Sequence, residues 1–249
     1  MSLARRTSLL LVIALAGCGS DAVKEAASPK KPATTKRVDK LKGEQAAVAI
    51  PSGSGALAVM APRRGLTLRA RPGGRVVAHL RAKTALGSPT VVWAPLRRGP
   101  WLGVVSTKLG NNRIAWVDTR RDRPRVWRSP YSLHADLSTR TMQLRRGSKV
   151  LRRMTIGVGG PTSPTPVGRF SVTDKLIPGR GVSYYGCCLL ALSGRQPHLR
   201  PGWAGGDRIA IHGGSTGSAT SAGCLHASDA DLKALMKVIP VGTPVYIRG

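Results

Sequence analysis

Acidic side chains are scarce in this chain: 11 Asp and Glu stand against 40 Lys and Arg, a net charge of +29. Such a charge attracts polyanions. Aromatic residues are scarce too, at 4% with a single phenylalanine. With the arginines scattered and no aromatic-rich reading surface, nucleic acid is excluded as the partner, and a negatively charged envelope polymer or membrane surface is the expected counter-ion. Long apolar runs are missing: Leu9–Leu15 is too short to span a bilayer. Internal repeats are absent. With 30 Gly and 18 Pro, the 249 residues favour short strands and turns over long helices, and a hydrophobic fraction of 41% suffices for one large or two small cores.

Residues 1–17 read as a secretory signal, with Arg5 and Arg6 as a basic start, Leu9–Leu15 as the apolar part and small residues before Cys18. Leu15-Ala16-Gly17-Cys18 resembles the bacterial lipobox. By that resemblance, cleavage leaves Cys18 as a lipid-bearing N-terminus, and the acyl chains anchor the protein to the membrane. Residues 18–55, rich in Ser, Ala, Lys, Pro and Gly, read as a disordered tether of roughly 30–35 Å mean reach. The expected location is therefore the cell envelope, lipid-anchored to the bacterial membrane and reaching into the wall.

Residues 56–128 carry short strand-like runs between turns such as Arg71-Pro72-Gly73-Gly74 and Arg98-Gly99-Pro100. This spacing predicts a small β-barrel, and the run resembles bacterial Src-homology-3-like domains, with Ala115-Trp116-Val117 as the closing triplet. Trp93, Trp101 and Trp116 fit either a binding face or a core; strand aromatics usually pack, so core is the expectation. His79 has no acidic neighbour in sequence.

Residues 131–249 form a second β-rich region. Leu133, Ala135 and Leu137 alternate, as do Met142 and Leu144, and then Val150, Met154, Ile156 and Val158. Pro161, Pro164 and Pro166 stiffen the next loop and exclude a central strand, making it a plausible cleft wall. Phe170 and Val172 open another strand. Ser228 with Asp231 fits a helix N-cap; Leu232, Leu235, Met236 and Ile239 follow at helical spacing, and Pro240 stops the helix before a last strand at 245–247.

The chemistry concentrates in Ile209–Ala227. An apolar run delivers His212 into a Gly, Ser and Thr loop that ends at Cys224. An imidazole can take a thiol proton, and a helix N-terminus just after Cys224 would lower the thiol pKa further. Gly223 permits a turn in which the Gly223-Cys224 amides face an oxyanion. On residue types alone, a reactive Cys/His pair and a buried cysteine beside a core histidine fit equally. With Cys18 lipidated, Cys187, Cys188 and Cys224 remain; if Cys224 is the nucleophile, Cys187 and Cys188 are free thiols or a vicinal disulfide, whereas a disulfide from one of them to Cys224 would abolish activity until reduced.

Thr165-Pro166-Val167-Gly168-Arg169-Phe170, Ile211-His212-Gly213 and Ser221-Ala222-Gly223-Cys224 together resemble the L,D-transpeptidase (YkuD) catalytic domain. The resemblance implies a mostly β protein: a small Src-homology-3-like barrel followed by a β-sandwich-like catalytic domain with a short C-terminal helix. It also implies that Cys224 attacks a peptidoglycan stem peptide while His212 acts as base, with the Gly213 carbonyl orienting the imidazole. The acyl-enzyme then passes to a neighbouring stem amine, or to water in a carboxypeptidase; a non-catalytic wall-binding lipoprotein is the rival outside enzymology. Ser221 is expected to line the site. Ala222 stands where the family often has His, and His226 where Arg or Asn is common, so His226 either replaces a polar substrate contact or lies on the surface. No metal or organic cofactor is implied.

Overall fold

The computed structural model describes residues 48–49, 55–179, 183–199, 202–203 and 205–249. The residues read as a signal sequence, Cys18 and most of the stretch read as a tether lie outside the described residues. Inside the stretch read as tether, Val48–Ala49 (β1) is a strand, paired antiparallel with Leu96 and Arg97. Two residues of backbone pairing need no apolar period, which is why composition missed them.

Residues 55–129 build two sheets around one core. Ala56–Met60 (β2), Leu66–Arg69 (β3), Val76–Leu80 (β4), Val91–Ala94 (β5), Leu96–Arg98 (β6), Trp101–Val104 (β7), Ala115–Asp118 (β8) and Arg125–Ser129 (β9) are its strands. They assort as β5-β2-β9 and β1-β6-β7-β8-β3-β4. Inward alternation puts Leu66 and Leu68 of β3 into a core with Val59, Leu102, Val104 and Val117. A one-turn helix, Thr119–Asp122 (α1), is N-capped by Asp118, and buried Asp122 accepts the Thr67 N–H through Oδ2 at 3.0 Å.

Two of the three tryptophans are buried, as the core expectation has it. Trp93 and Trp116 are buried but stand outside that apolar cluster, and Trp101 is half-buried. Trp93 meets Tyr246 of the last strand edge-on, with ring centroids 5.3 Å apart. It packs the first β unit onto the second.

The second unit runs through Tyr131–Asp136 (β10), Thr141–Arg146 (β11), Lys149–Thr155 (β12), Val158–Gly159 (β13), Gly168–Leu176 (β14), Leu189–Arg195 (β15), Arg208–Gly213 (β16), Ala219–Ser221 (β17), Leu225–Ala227 (β18), Asp229–Val238 (α2) and Pro244–Arg248 (β19). One eight-stranded sheet has the order β12-β11-β10-β19-β14-β15-β16-β18, and β13 pairs with β17 apart from it. The chain is mostly β, as expected. Phe170, Leu190, Leu192, Ile209, Ile211 and Leu225 fill its core, and α2 adds Leu232 and Leu235. The α2 cap is the one the sequence predicts: Ser228 Oγ accepts the Asp231 N–H at 3.2 Å.

Two pairings in this sheet are parallel, β10 with β19 and β16 with β18. The second matters for the site, because it lays Ile211, His212 and Gly213 beside Leu225, His226 and Ala227.

Candidate active site

Strand alternation sorts this edge of the sheet. Ile209 and Ile211 turn into the core, so Arg208, Ala210 and His212 share the opposite face of β16. On β18, Leu225 is buried in the core and His226 faces the His212 side. Cys224, two residues before His226, lies near the Ala210 backbone N–H. Cys224 is the one free cysteine among the described residues and is only partly exposed.

His212 is buried, and its Nδ1 lies 2.8 Å from the Gly213 carbonyl oxygen. A carbonyl only accepts, so Nδ1 carries the hydrogen and Nε2 is the basic nitrogen. Burial drives the His212 pKa down to about 4 against the pull of the Gly213 hydrogen bond, with the neighbouring His226 lowering it further. Burial pushes the Cys224 thiol up, partly offset by the Ala210 N–H. The resting pair is therefore neutral thiol and neutral imidazole. No hydrogen bond joins Cys224 to His212 among the described residues, although Cys224, just before β18, shares the His212 face of β16. Such contacts commonly tighten only when substrate is bound.

The helix-dipole expectation for Cys224 is corrected. The strand Leu225–Ala227 separates it from α2, whose first helical residue is Asp229. The influence of a helix end falls off within a turn, so the dipole does not act on this thiol.

Ser221 and Gly223 also take other roles than expected. Ser221 is buried; its Oγ donates to the Cys224 carbonyl at 2.6 Å and accepts the Gly223 N–H at 3.1 Å. The hydroxyl thus braces the loop that ends at Cys224, and the Gly223 amide is already engaged. Gly223 has φ +113°, and a Cβ there would run into the Gln196 amide. That position tolerates only glycine.

His226 does not lie on the surface. It is half-buried, its ring centroid stands 4.7 Å from that of His212, and neither ring nitrogen has a hydrogen-bond partner of normal geometry among the described residues. Burial lowers its pKa, opposed by the nearby Ser215 carbonyl. Its backbone exchanges two 2.9 Å bonds with Gly157.

Several contributors carry no motif. Gln196 is buried, and its Nε2 approaches the carbonyls of Ser163 at 3.2 Å, Pro164 at 3.0 Å and Ala222 at 3.2 Å. One amide thereby ties the proline loop to the loop before Cys224. Tyr185 stands edge-on to His212 at 5.1 Å and Tyr184 lies at 5.7 Å. Their segment is held by Asp229, whose Oδ1 accepts the Cys187 N–H at 3.1 Å. Cys187 and Cys188 are joined as a vicinal disulfide. The doubled Tyr184-Tyr185 was the available signal for this wall; nothing marked Gln196.

The Thr-Pro-x-Gly-x-Phe segment is scaffolding. Thr165 Oγ1 accepts the Gly159 N–H at 2.8 Å, Phe170 is core, and a Cβ on Gly168 (φ +143°) would overlap the Asn112 side chain of the first unit. No cluster of three or more metal-ligating side chains occurs among the described residues.

A largely buried thiol on the same face as an oriented, neutral imidazole makes a candidate site for acyl transfer through cysteine. Residues 130–247 match the family model of the L,D-transpeptidase catalytic domain, YkuD. The putative L,D-transpeptidase YkuD of Bacillus subtilis is 27% identical over 129 residues, half of this chain and 70% of that protein. Among solved structures, an L,D-transpeptidase (Yku) from Stackebrandtia nassauensis is 18% identical with a TM-score of 0.36; the match covers 49% of this chain and 56% of that one. An L,D-transpeptidase from Mycobacterium smegmatis is 15% identical with a TM-score of 0.39, covering 83% and 93%.

Proposed function

We propose that this chain is a peptidoglycan L,D-transpeptidase that cross-links stem peptides through a cysteinyl acyl-enzyme. The observation that carries the reading is the 2.8 Å contact of His212 Nδ1 with the Gly213 carbonyl, which leaves Nε2 free to accept a proton on the face shared with Cys224. Because burial keeps both groups neutral, the thiol loses its proton to Nε2 as sulfur attacks the stem carbonyl. With the Gly223 amide taken by Ser221, the Cys224 N–H is the backbone donor to the oxyanion. The imidazolium returns its proton to the departing D-alanine amine, leaving a thioester. A side-chain amine of a second stem attacks the thioester, His212 takes the amine's proton, and the released thiolate recovers it.

Lipidation of Cys18 belongs to the same reading and would hold the domain at the membrane within reach of the wall. Cys18→Ala should release the protein from membranes, and unchanged retention would count against the anchor.

The decisive assay incubates the protein with tetrapeptide muropeptides and follows products by mass spectrometry. Loss of D-alanine with dimers supports the transferase, whereas loss without dimers makes the protein an L,D-carboxypeptidase. Turnover should vanish in Cys224→Ala with the fold intact. If neither product forms and a carbapenem leaves no adduct on Cys224, the non-catalytic wall-binding reading replaces this one.

A further inference from the structure

A cleft of about 960 Å³ opens between the two β units, away from the Cys224 thiol. That volume is typical of a site for a drug-sized ligand. Its lining includes Arg63, Arg64, Arg81, Lys83 and Lys108 from the first unit, and Arg195 and Arg208 from β15 and β16. Asp174 is the one carboxylate in the lining; it is wholly buried and hydrogen-bonded through Oδ1 to Thr84. Arg195 is paired with Asp207 and also reaches the Thr107 carbonyl, and Arg64 donates to the Arg121 carbonyl at 2.6 Å.

The exposed side chains of Arg81, Lys83 and Lys108 make no hydrogen bond or ion pair among the described residues. They converge on one concave surface where like charges repel unless a ligand supplies the opposite sign. Guanidinium forks beside ammonium groups suit several oxyanions held together, since Arg pairs bidentately with carboxylate or phosphate. The place is connected to the candidate active site by a single strand. Arg208 and His212 share a face of β16, four residues or roughly 13 Å apart.

We propose that this cleft is a binding site for an oligoanion, a segment bearing two or more neighbouring carboxylate or phosphate groups. The site stands on its own residues and does not depend on the chemistry at Cys224.

The test titrates the full chain, by calorimetry at moderate salt, with two probes: inorganic tripolyphosphate and a tri-glutamate peptide. Two triple variants are compared with the parent. One is Arg81→Ala/Lys83→Ala/Lys108→Ala in the cleft; the other is Arg146→Ala/Lys149→Ala/Arg153→Ala on the β11–β12 hairpin, which removes the same charge elsewhere. All six side chains are exposed, so both variants should melt with the parent. Saturable binding of at least one probe is expected, about tenfold weaker in the cleft variant and near parental in the hairpin variant. The probe that binds tells phosphate from carboxylate. Failure of both probes, or equal weakening in the two variants, overturns the site and leaves only diffuse attraction to a basic protein.

Discussion

His212 carries part of the acid sensitivity of the molecule. An imidazole of ordinary pKa 6.5 falls to about 4 in the folded state because burial penalises its charged form. Between those values the unfolded chain binds a proton that the native chain does not, so stability is complete above pH 6.5 and declines as pH falls toward 4. The shift corresponds to about 3 kcal/mol. His134 is also lowered to about 4, by burial and by Arg145 and Arg248, and acts in the same direction. Comparing the parent with His212→Asn isolates the site's share: denaturant titrations at pH 7 and pH 4 should show the parent losing about 3 kcal/mol more than the variant. Equal losses would mean that His212 is already protonated in the native state at mild acidity. For the same reason, the acidic limb of kcat/KM should fall near pH 4 instead of 6.5.

At the scale of elements, the sequence revealed what periodicity and punctuation can encode. Leu133 with Ala135, and Met142 with Leu144, do line the core as their alternation predicts, and Ser228 does cap the C-terminal helix. The prolines at 161, 164 and 166 do form the loop between β13 and β14. What stayed hidden depends on partners far away in the chain. The parallel pairing of β16 with β18, which seats His226 beside His212, joins strands through an intervening loop that no local pattern specifies. Gln196 is likewise a polar residue after a strand until the fold brings three carbonyls around its amide.

The segment at 184–188 shows how such an unmarked contact can govern the site. Tyr184 and Tyr185 reach His212 from a single 3-10 turn, and Asp229, the first residue of α2, holds the next stretch through Cys187. Asp229→Ala removes that acceptor while leaving the Ser228 cap in place. We expect a several-fold fall in kcat/KM with little change in global stability, about 1 kcal/mol or less, because one backbone amide returns to solvent. The check pairs steady-state kinetics with thermal unfolding. An unaltered kcat/KM would show that the tyrosine wall does not depend on this tether.

At the scale of the molecule, the first β unit is built into the second. Trp93 packs on Tyr246, and Asn112 donates to the Val167 carbonyl at 3.1 Å while accepting the Arg169 N–H at 3.0 Å. Gly168 is what admits the Asn112 side chain, so a glycine of the recognised motif serves this junction. Asn111 makes a pair of bonds to one residue: its Nδ2 donates to the Arg195 carbonyl at 2.7 Å, and its Oδ1 accepts the Arg195 N–H at 2.9 Å. Arg195 ends β15, the strand hydrogen-bonded to β16 and hence to His212. Asn111→Ala leaves both groups of Arg195 without partners, a cost of about 1–3 kcal/mol. If the two units unfold as one body, calorimetry of this variant shows a single transition lowered by roughly 2–8 °C. Separate transitions, with only the lower one displaced, would mean that the first unit is a tethered module. In that case the catalytic domain would keep its melting point without the contact, and the junction would owe nothing to Asn111.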